Sequence, residues 1–156
     1  MKTRINTVLF EAALLIGILA AVFAQSVCVS AENRNEISED VFRLHILANS
    51  DSDEDQSLKL KVRNAVLEES GTLFSGNMTA EQAADEARTH LDDFQRIAEQ
   101  VIKENGYAYN VTCEVTDMYF DRRVYGSATL PEGKYTALRI CIGKAEGHNW
   151  WCVMFP

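Results

Sequence analysis

An α+β fold, with a mostly antiparallel sheet and two helices packed on one face of it, is predicted by three features of this 156-residue chain. Apolar and polar residues alternate with a period of two around residue 44, as in a half-buried strand. A helical stripe of apolar residues runs between Ala83 and Ile102. After Gly106 the period of two returns and persists over several short stretches separated by turn residues. The predicted order is β-α-α-β-β-β, or the same with one extra strand. Strands at close spacing pair antiparallel, and helices gathered between them cover one side of the sheet.

The N-terminal segment precedes that domain. Lys2 and Arg4 are followed by an apolar run from Ala12 to Ala24 and then by Val29-Ser30-Ala31. That is the three-part order of a secretory signal, with cleavage expected after Ala31. The run is shorter than the about 20 residues that span a bilayer comfortably. Its apolar flanks keep an uncleaved N-terminal membrane anchor as the rival reading. Cys28 invites a lipoprotein reading, which Val27 disfavours because a small residue is needed there. Residues 1–31 are thus a signal peptide or anchor, residues 32–40 a polar linker, and residues 41–156 one domain outside the cytoplasm.

In "VFRLHILANS", Phe42, Leu44 and Ile46 alternate with Arg43 and His45. The first set is expected inward and the second outward. "NSDSDEDQ" then stops the strand and starts a helix, since Ser and Asp cap helix N-termini and acidic side chains suit the positive end of the helix dipole. The Asp51, Asp53, Asp55 series resembles a calcium loop. It fails as one, because Gln56 stands where Gly is required and Val62 where Glu is required. Leu58, Val62, Ala65 and Val66 give this helix its buried face.

The second helix opens with Thr79 and Gln82, a capping box. Its stripe is Ala83, Ala87, Leu91, Phe94, Ala98, Val101 and Ile102, and Asn105-Gly106 ends it. His90 falls off the stripe and is expected at the surface. Three strands follow: one through Tyr109, Val111, Cys113 and Val115, one in "MYFDRRVYG", and one through Thr136, Leu138, Ile140 and Ile142 after the Pro131–Gly133 turn. A last strand is "WWCVMFP".

Net charge of −8 excludes a nucleic-acid partner, which needs clustered Lys and Arg. No small-molecule substrate, cofactor or metal is implied. Cys113, Cys141 and Cys152 show neither a CxxC nor zinc-finger spacing with His, and read as one disulfide plus a free thiol. Serine-hydrolase, zinc-protease and P-loop motifs are missing, so no catalytic residue is assigned. Cys152 with His148 or His45 could form a nucleophile and base, but a cysteine among apolar strand neighbours is ordinarily inert packing.

Partner contacts are therefore sought at the surface. The polar side of the first strand and its exit offers Arg43, His45, Asn49, Asp51 and Gln56. The "MYFDRRVYG" segment offers Arg123 and Tyr125. Trp150 and Trp151 must face opposite sides of their strand. Trp151 shares its parity with Val153 and Phe155 and is expected in the core. Trp150 is then the indole free to anchor a partner, a role for which Trp is enriched.

"VFRLHILANSDSDEDQSLKLKVRNAVL" and "YGSATLPEGKYTALRICIGKAEGHNWWCVMFP" closely resemble the stage II sporulation protein R family of endospore-forming Firmicutes. The two blocks bracket the domain, and "LHILANSDS", "LPEGKYTALR" and "NWWCVMFP" are its specific parts. The resemblance implies a secreted intercellular signal without a reaction of its own. It would be made in the forespore and exported to the space between the two membranes around it. There it would activate a membrane-embedded aspartic protease of the mother cell that processes pro-sigma factor E. Family members continue past the position of Pro156 with a further proline and a cysteine. Should that cysteine bridge to Cys152 in them, Cys152 here is left to pair with Cys141 across the last hairpin or to stay reduced. An extracytoplasmic enzyme such as a cell-wall hydrolase would share the signal and the size, but would need paired carboxylates or a Cys/His pair in a cleft.

N-terminal sequencing of exported protein is expected to begin at Glu32. A chain that keeps Met1 and stays in the membrane fraction would establish the anchor instead.

Overall fold

The computed structural model describes residues 11, 14–25 and 40–155, save 75, 77 and 127. The chain divides into two compact units, Met1–Glu36 and Ile37–Pro156. In the first, residues 14–25 form helix α1, with exposed side chains. No helix among the described residues is long and apolar enough to cross a membrane. The expected cleavage point after Ala31, Cys28 and linker residues 32–39 lie outside the described residues.

The second unit runs β1 (Phe42–Leu47), α2 (Asp53–Leu73), α3 (Ala80–Thr89), α4 (Leu91–Glu104), β2 (Val111–Phe120), β3 (Arg123–Tyr125), β4 (Ala128–Leu130), β5 (Gly133–Ile142) and β6 (Asn149–Phe155). The main sheet has the order β2-β5-β1-β6, and β3 and β4 form a separate two-stranded sheet. The α+β class and the mostly antiparallel sheet are as expected: β2 pairs antiparallel with β5, and β1 with β6. The exception is β1 with β5, which are parallel. Strand β1 therefore sits inside the sheet and separates β5 from β6, so no final hairpin exists.

Helices α2 and α3 begin where their capping chemistry lies. The Ser52 hydroxyl accepts from the Asp55 amide at the start of α2, with Asp53, Glu54 and Asp55 in the first turn. Thr79 and Gln82 form the expected capping box of α3, exchanging hydrogen bonds of 2.9 and 3.2 Å. The single long helix expected there is broken. At His90, φ −107° and ψ 18° leave the helical region, giving α3 and α4. The His90 ring is half-buried rather than free in solvent, with Asp93 Oδ2 at 2.8 Å and Glu86 Oε1 at 3.2 Å. The break lets α3 lie on β1, β2 and β5 while α4 packs on α2 and β2. Ala80, Ala83, Ala84 and Ala87 are the buried residues of α3, small enough to bring its backbone close to the sheet.

All three helices cover one sheet face. Leu58, Val62, Val66, Phe94, Ala98 and Ile102 meet Phe42, Leu44, Ile46, Leu138, Ile140 and Ile142 in one core. A second, smaller cluster of Phe120, Tyr135 and Ala137 lies on the opposite face, with Val41, Met118 and Trp151 packed on it. Strand β1 is buried on both sides, and Arg43 (0% exposed) and His45 (3%) belong to the second face. The expectation that these two face solvent is thus corrected. Their alternation with apolar residues marks two buried faces, not one.

The tryptophans are also the reverse of expectation. Trp150 lies opposite Ile46 and packs on the helix-side core, whereas Trp151 lies opposite His45 on the other face. Parity with Phe155 misleads because the register slips between Phe42 and Arg43. Phe42 pairs with Phe155 and Arg43 with Val153, so Met154 is the extra residue of a bulge. Met154 and Phe155 both end on the helix side, where the Phe74 and Phe155 rings meet edge-on.

Glycines at two positions separate packing from propensity. A Cβ on Gly147 would stand 2.2 Å from the Ser50 carbonyl oxygen, whereas one on Gly71 would meet nothing within 4 Å. Gly147→Ala is expected to cost about 1–3 kcal/mol by overpacking. Gly71→Ala, inside α2, is expected to stabilise by about 0.5–1 kcal/mol. Urea unfolding of both variants checks the opposite signs.

Candidate functional site

The exit of β1 and the β5–β6 loop are locked together by a polar clasp. Asn49 Oδ1 accepts from the Lys144 amide at 3.0 Å, and Asn49 Nδ2 donates to Asp55 Oδ2 at 2.9 Å. The Ser50 hydroxyl donates to the same carboxylate oxygen at 2.5 Å. Gln56 Nε2 donates to the Ser50 carbonyl at 2.9 Å. Buried Lys59 donates to Gln56 Oε1 at 2.5 Å and to the His148 carbonyl at 2.7 Å. Asp51 accepts from the His148 amide and holds its ring Nδ1. Close approach needs glycine here: a Cβ on Gly143, at φ +59°, would fall 2.3 Å from Asn49 Oδ1.

The electrostatics of the clasp follow from these partners. Burial pushes the Asp55 carboxyl pKa up, but donation from Ser50 and Asn49 outweighs it and the net shift is downward. Burial lowers the Lys59 pKa, and the Asp51 carboxylate offsets part of that. Asn49, Asp51 and Gln56, expected as partner contacts, are therefore side chains that hold the fold. Asp51 alone of the three is exposed. Asp55 and Lys59 were not anticipated. A lysine between Leu58 and Leu60, with an acidic residue four positions before it in α2, was the available signal.

The second face is built around Arg43. Its guanidinium lies over the Phe120 ring at 4.1 Å and the Tyr135 ring at 5.0 Å. Nη2 donates to the Tyr125 hydroxyl at 2.9 Å, and that hydroxyl donates to the Trp151 carbonyl at 3.1 Å. His45 meets Phe120 and Trp151 edge-on. Exposed Arg123 stacks over Trp151 at 4.6 Å. Strand β3 thus brings Arg123 and Tyr125 onto Arg43, His45 and Trp151, uniting four of the eight expected contact residues. Trp150 is not among them. It lies across the sheet, half-buried, under the Arg63 guanidinium at 4.4 Å.

The model of the stage II sporulation protein R family matches residues 38–156. The chain belongs to this family. It is also 33% identical to stage II sporulation protein R of Bacillus subtilis (strain 168), over all of this chain and 70% of that protein. No solved structure gives a significant match. Membership gives the chain a role in sporulation. The two sequence blocks that resemble the family, distant along the chain, are the partners in both the clasp and the β1–β6 pairing.

The thiols do not form a site. Cys113, Cys141 and Cys152 are free. With β1 between them, β5 and β6 are about 10 Å apart, beyond the about 7 Å that a disulfide bridges between Cα atoms. The Cys141–Cys152 pairing is therefore excluded by strand order. Cys152 lies opposite Leu44, on the face away from His45, and burial raises its pKa. Burial pushes the Cys113 thiol up to about 12. Among the described residues no cluster of His, Cys, Asp and Glu could hold a metal ion.

Burial, with the Arg139 guanidinium second, lowers the His45 pKa from 6.5 to about 4. A folded-state value below the unfolded one means that the unfolded chain takes up the proton first. Stability is then full above pH 6.5 and is lost as pH falls towards 4, by on the order of 3 kcal/mol. Urea unfolding across that range should show this slope in the wild type and not in His45→Phe.

Proposed function

We propose that this chain is the secreted signal of the forespore, which binds and activates a membrane-embedded aspartic protease of the mother cell and so drives processing of pro-sigma factor E. It acts by contact and carries out no reaction itself. Its place of action is the space between the two membranes around the forespore, with the N-terminal segment as signal or anchor. Family membership across residues 38–156 carries this reading. The second face supplies a contact surface consistent with it. Arg123 and Val124 are exposed on β3, directly above the Tyr125–Trp151–Arg43 cluster. The helix face has no such role, because three helices cover it.

Sporulating cells that lack their own copy, supplied with purified chain, should accumulate processed sigma factor E. Arg123→Glu should still fold, since the stacking of an exposed guanidinium on Trp151 is worth only about 0.5–1 kcal/mol. Its processing activity should drop several-fold. Full processing by Arg123→Glu would remove β3 from the contact surface, and no processing by the wild type would remove the proposed activity.

A further inference from the structure

Arg43 is a fully buried ion, and among the described residues no carboxylate pairs with it. Its guanidinium stays charged at any pH where the fold exists. A buried charge is expensive unless it is paired and hydrogen-bonded. Only Nη2 is satisfied, by the Tyr125 hydroxyl. Nε and Nη1 have no hydrogen-bond partner among the described residues. None of the ion pairs among the described residues involves Arg43. Arg139 is turned to Glu114 instead. The rings of Phe120 and Tyr135 stabilise the cation, but they leave its hydrogen-bonding edge unanswered.

The way to that edge is short. Tyr125, which holds one corner of the guanidinium, is itself half-buried at the surface. Beside it the exposed Arg123 guanidinium lies over Trp151. In a chain of net charge −8, this spot carries two guanidiniums, and none of the ion pairs seen among the described residues involves either.

We propose that Arg43 is the receptor for a carboxylate of the protein partner, an Asp or Glu side chain that displaces the Tyr125 hydroxyl and forms paired hydrogen bonds with the guanidinium edge. This rests on the reading that the domain acts by binding a protein. A planar carboxylate can lie in the guanidinium plane and accept two parallel hydrogen bonds. Arg123 would attract the same acidic segment from outside, and Trp151 would line its path.

The test uses the purified full chain with the blocked tripeptide acetyl-Gly-Glu-Gly-amide as probe, and its Gln analogue and inorganic phosphate as controls at matched ionic strength. The Arg43 Nε–H resonance should shift saturably with the Glu peptide alone. Indole emission, read in parallel, should saturate at the same concentration. In Arg43→Met the emission response should be weaker by about tenfold or more, while the melting temperature stays at or above that of the wild type, because an unpaired buried charge has been removed. No saturable response in the wild type, an equal response to the Gln peptide or to phosphate, or an undiminished response in Arg43→Met would each overturn the assignment. So would a melting temperature of Arg43→Met far below the wild type, which would make Arg43 a structural ion. The titration involves no protease, so its outcome is independent of whether the sigma factor pathway is the one served.

Discussion

Burial of β1 on both faces is the constraint from which most of this domain follows. A strand inside the sheet must have a neighbour on each side, and here the neighbours come from the far end of the chain, β5 in parallel and β6 antiparallel. A parallel partner cannot be reached by a tight turn. The chain must travel from the end of β1 through three helices and the edge strand β2 before it can lay down β5. Those helices fall on one face and bury Phe42, Leu44 and Ile46. The other face of the same strand then has to be covered by something else, and the β3 strand, Phe120, Tyr135 and Trp151 cover it.

The two ends of β1 handle polar groups in opposite ways. At its exit, the clasp satisfies every buried charge it contains. Asp55 accepts from Asn49 and Ser50, and Lys59 donates to Gln56 and His148. Its contribution is to fix the start of α2 against the β5–β6 loop, so that β6 can only enter beside β1. Within β1, Arg43 is buried with most of its hydrogen-bonding capacity unused. A domain able to pair Asp55 and Lys59 so completely had the means to pair Arg43 as well. The contrast between the two regions is that between a polar network satisfied within the fold and a buried cation that the fold leaves largely unsatisfied.

Much of the architecture was legible in the sequence. The capping residues Ser52 and Thr79, the helical stripes, and the alternation through β2 and β5 all act locally, within one turn or one pleat, and so can be read locally. What escaped were relations between distant segments. "FRLHIL" has the pattern of a strand with one wet face, and nothing within it tells that aromatic residues some eighty positions later will cover Arg43. Closely spaced strands pair by default with their sequence neighbours, which hides the insertion of β1 between β5 and β6. The bulge at Met154 inverts the parity on which the assignment of the tryptophans depended. Of the expected contact residues, Arg43, His45, Arg123 and Tyr125 do converge, although for the first two the reason is aromatic burial and not exposure. Asn49 and Gln56 read as surface polar residues because a side chain's partners in a distant loop leave no mark on its own segment.

The aromatic end of the chain can now be understood through its two faces. Trp150, Cys152, Met154 and Phe155 seal the helix-side core along the edge strand. Trp151 turns the other way, and its backbone carbonyl receives the Tyr125 hydroxyl that also holds Arg43. A change on the helix side of β6 is transmitted to packing alone. A change at Trp151 reaches Tyr125, and through it the one satisfied corner of a buried cation. The helix-side core and the aromatic cluster around the cation are thus lined by alternate residues of a single strand, separated by the thickness of the sheet. Register in the β1–β6 pair therefore decides more than packing. A slip of one residue would exchange the two faces, placing Trp150 against the cation and Trp151 under the helices. The clasp at one end of β6 and the bulge at the other hold that register in place.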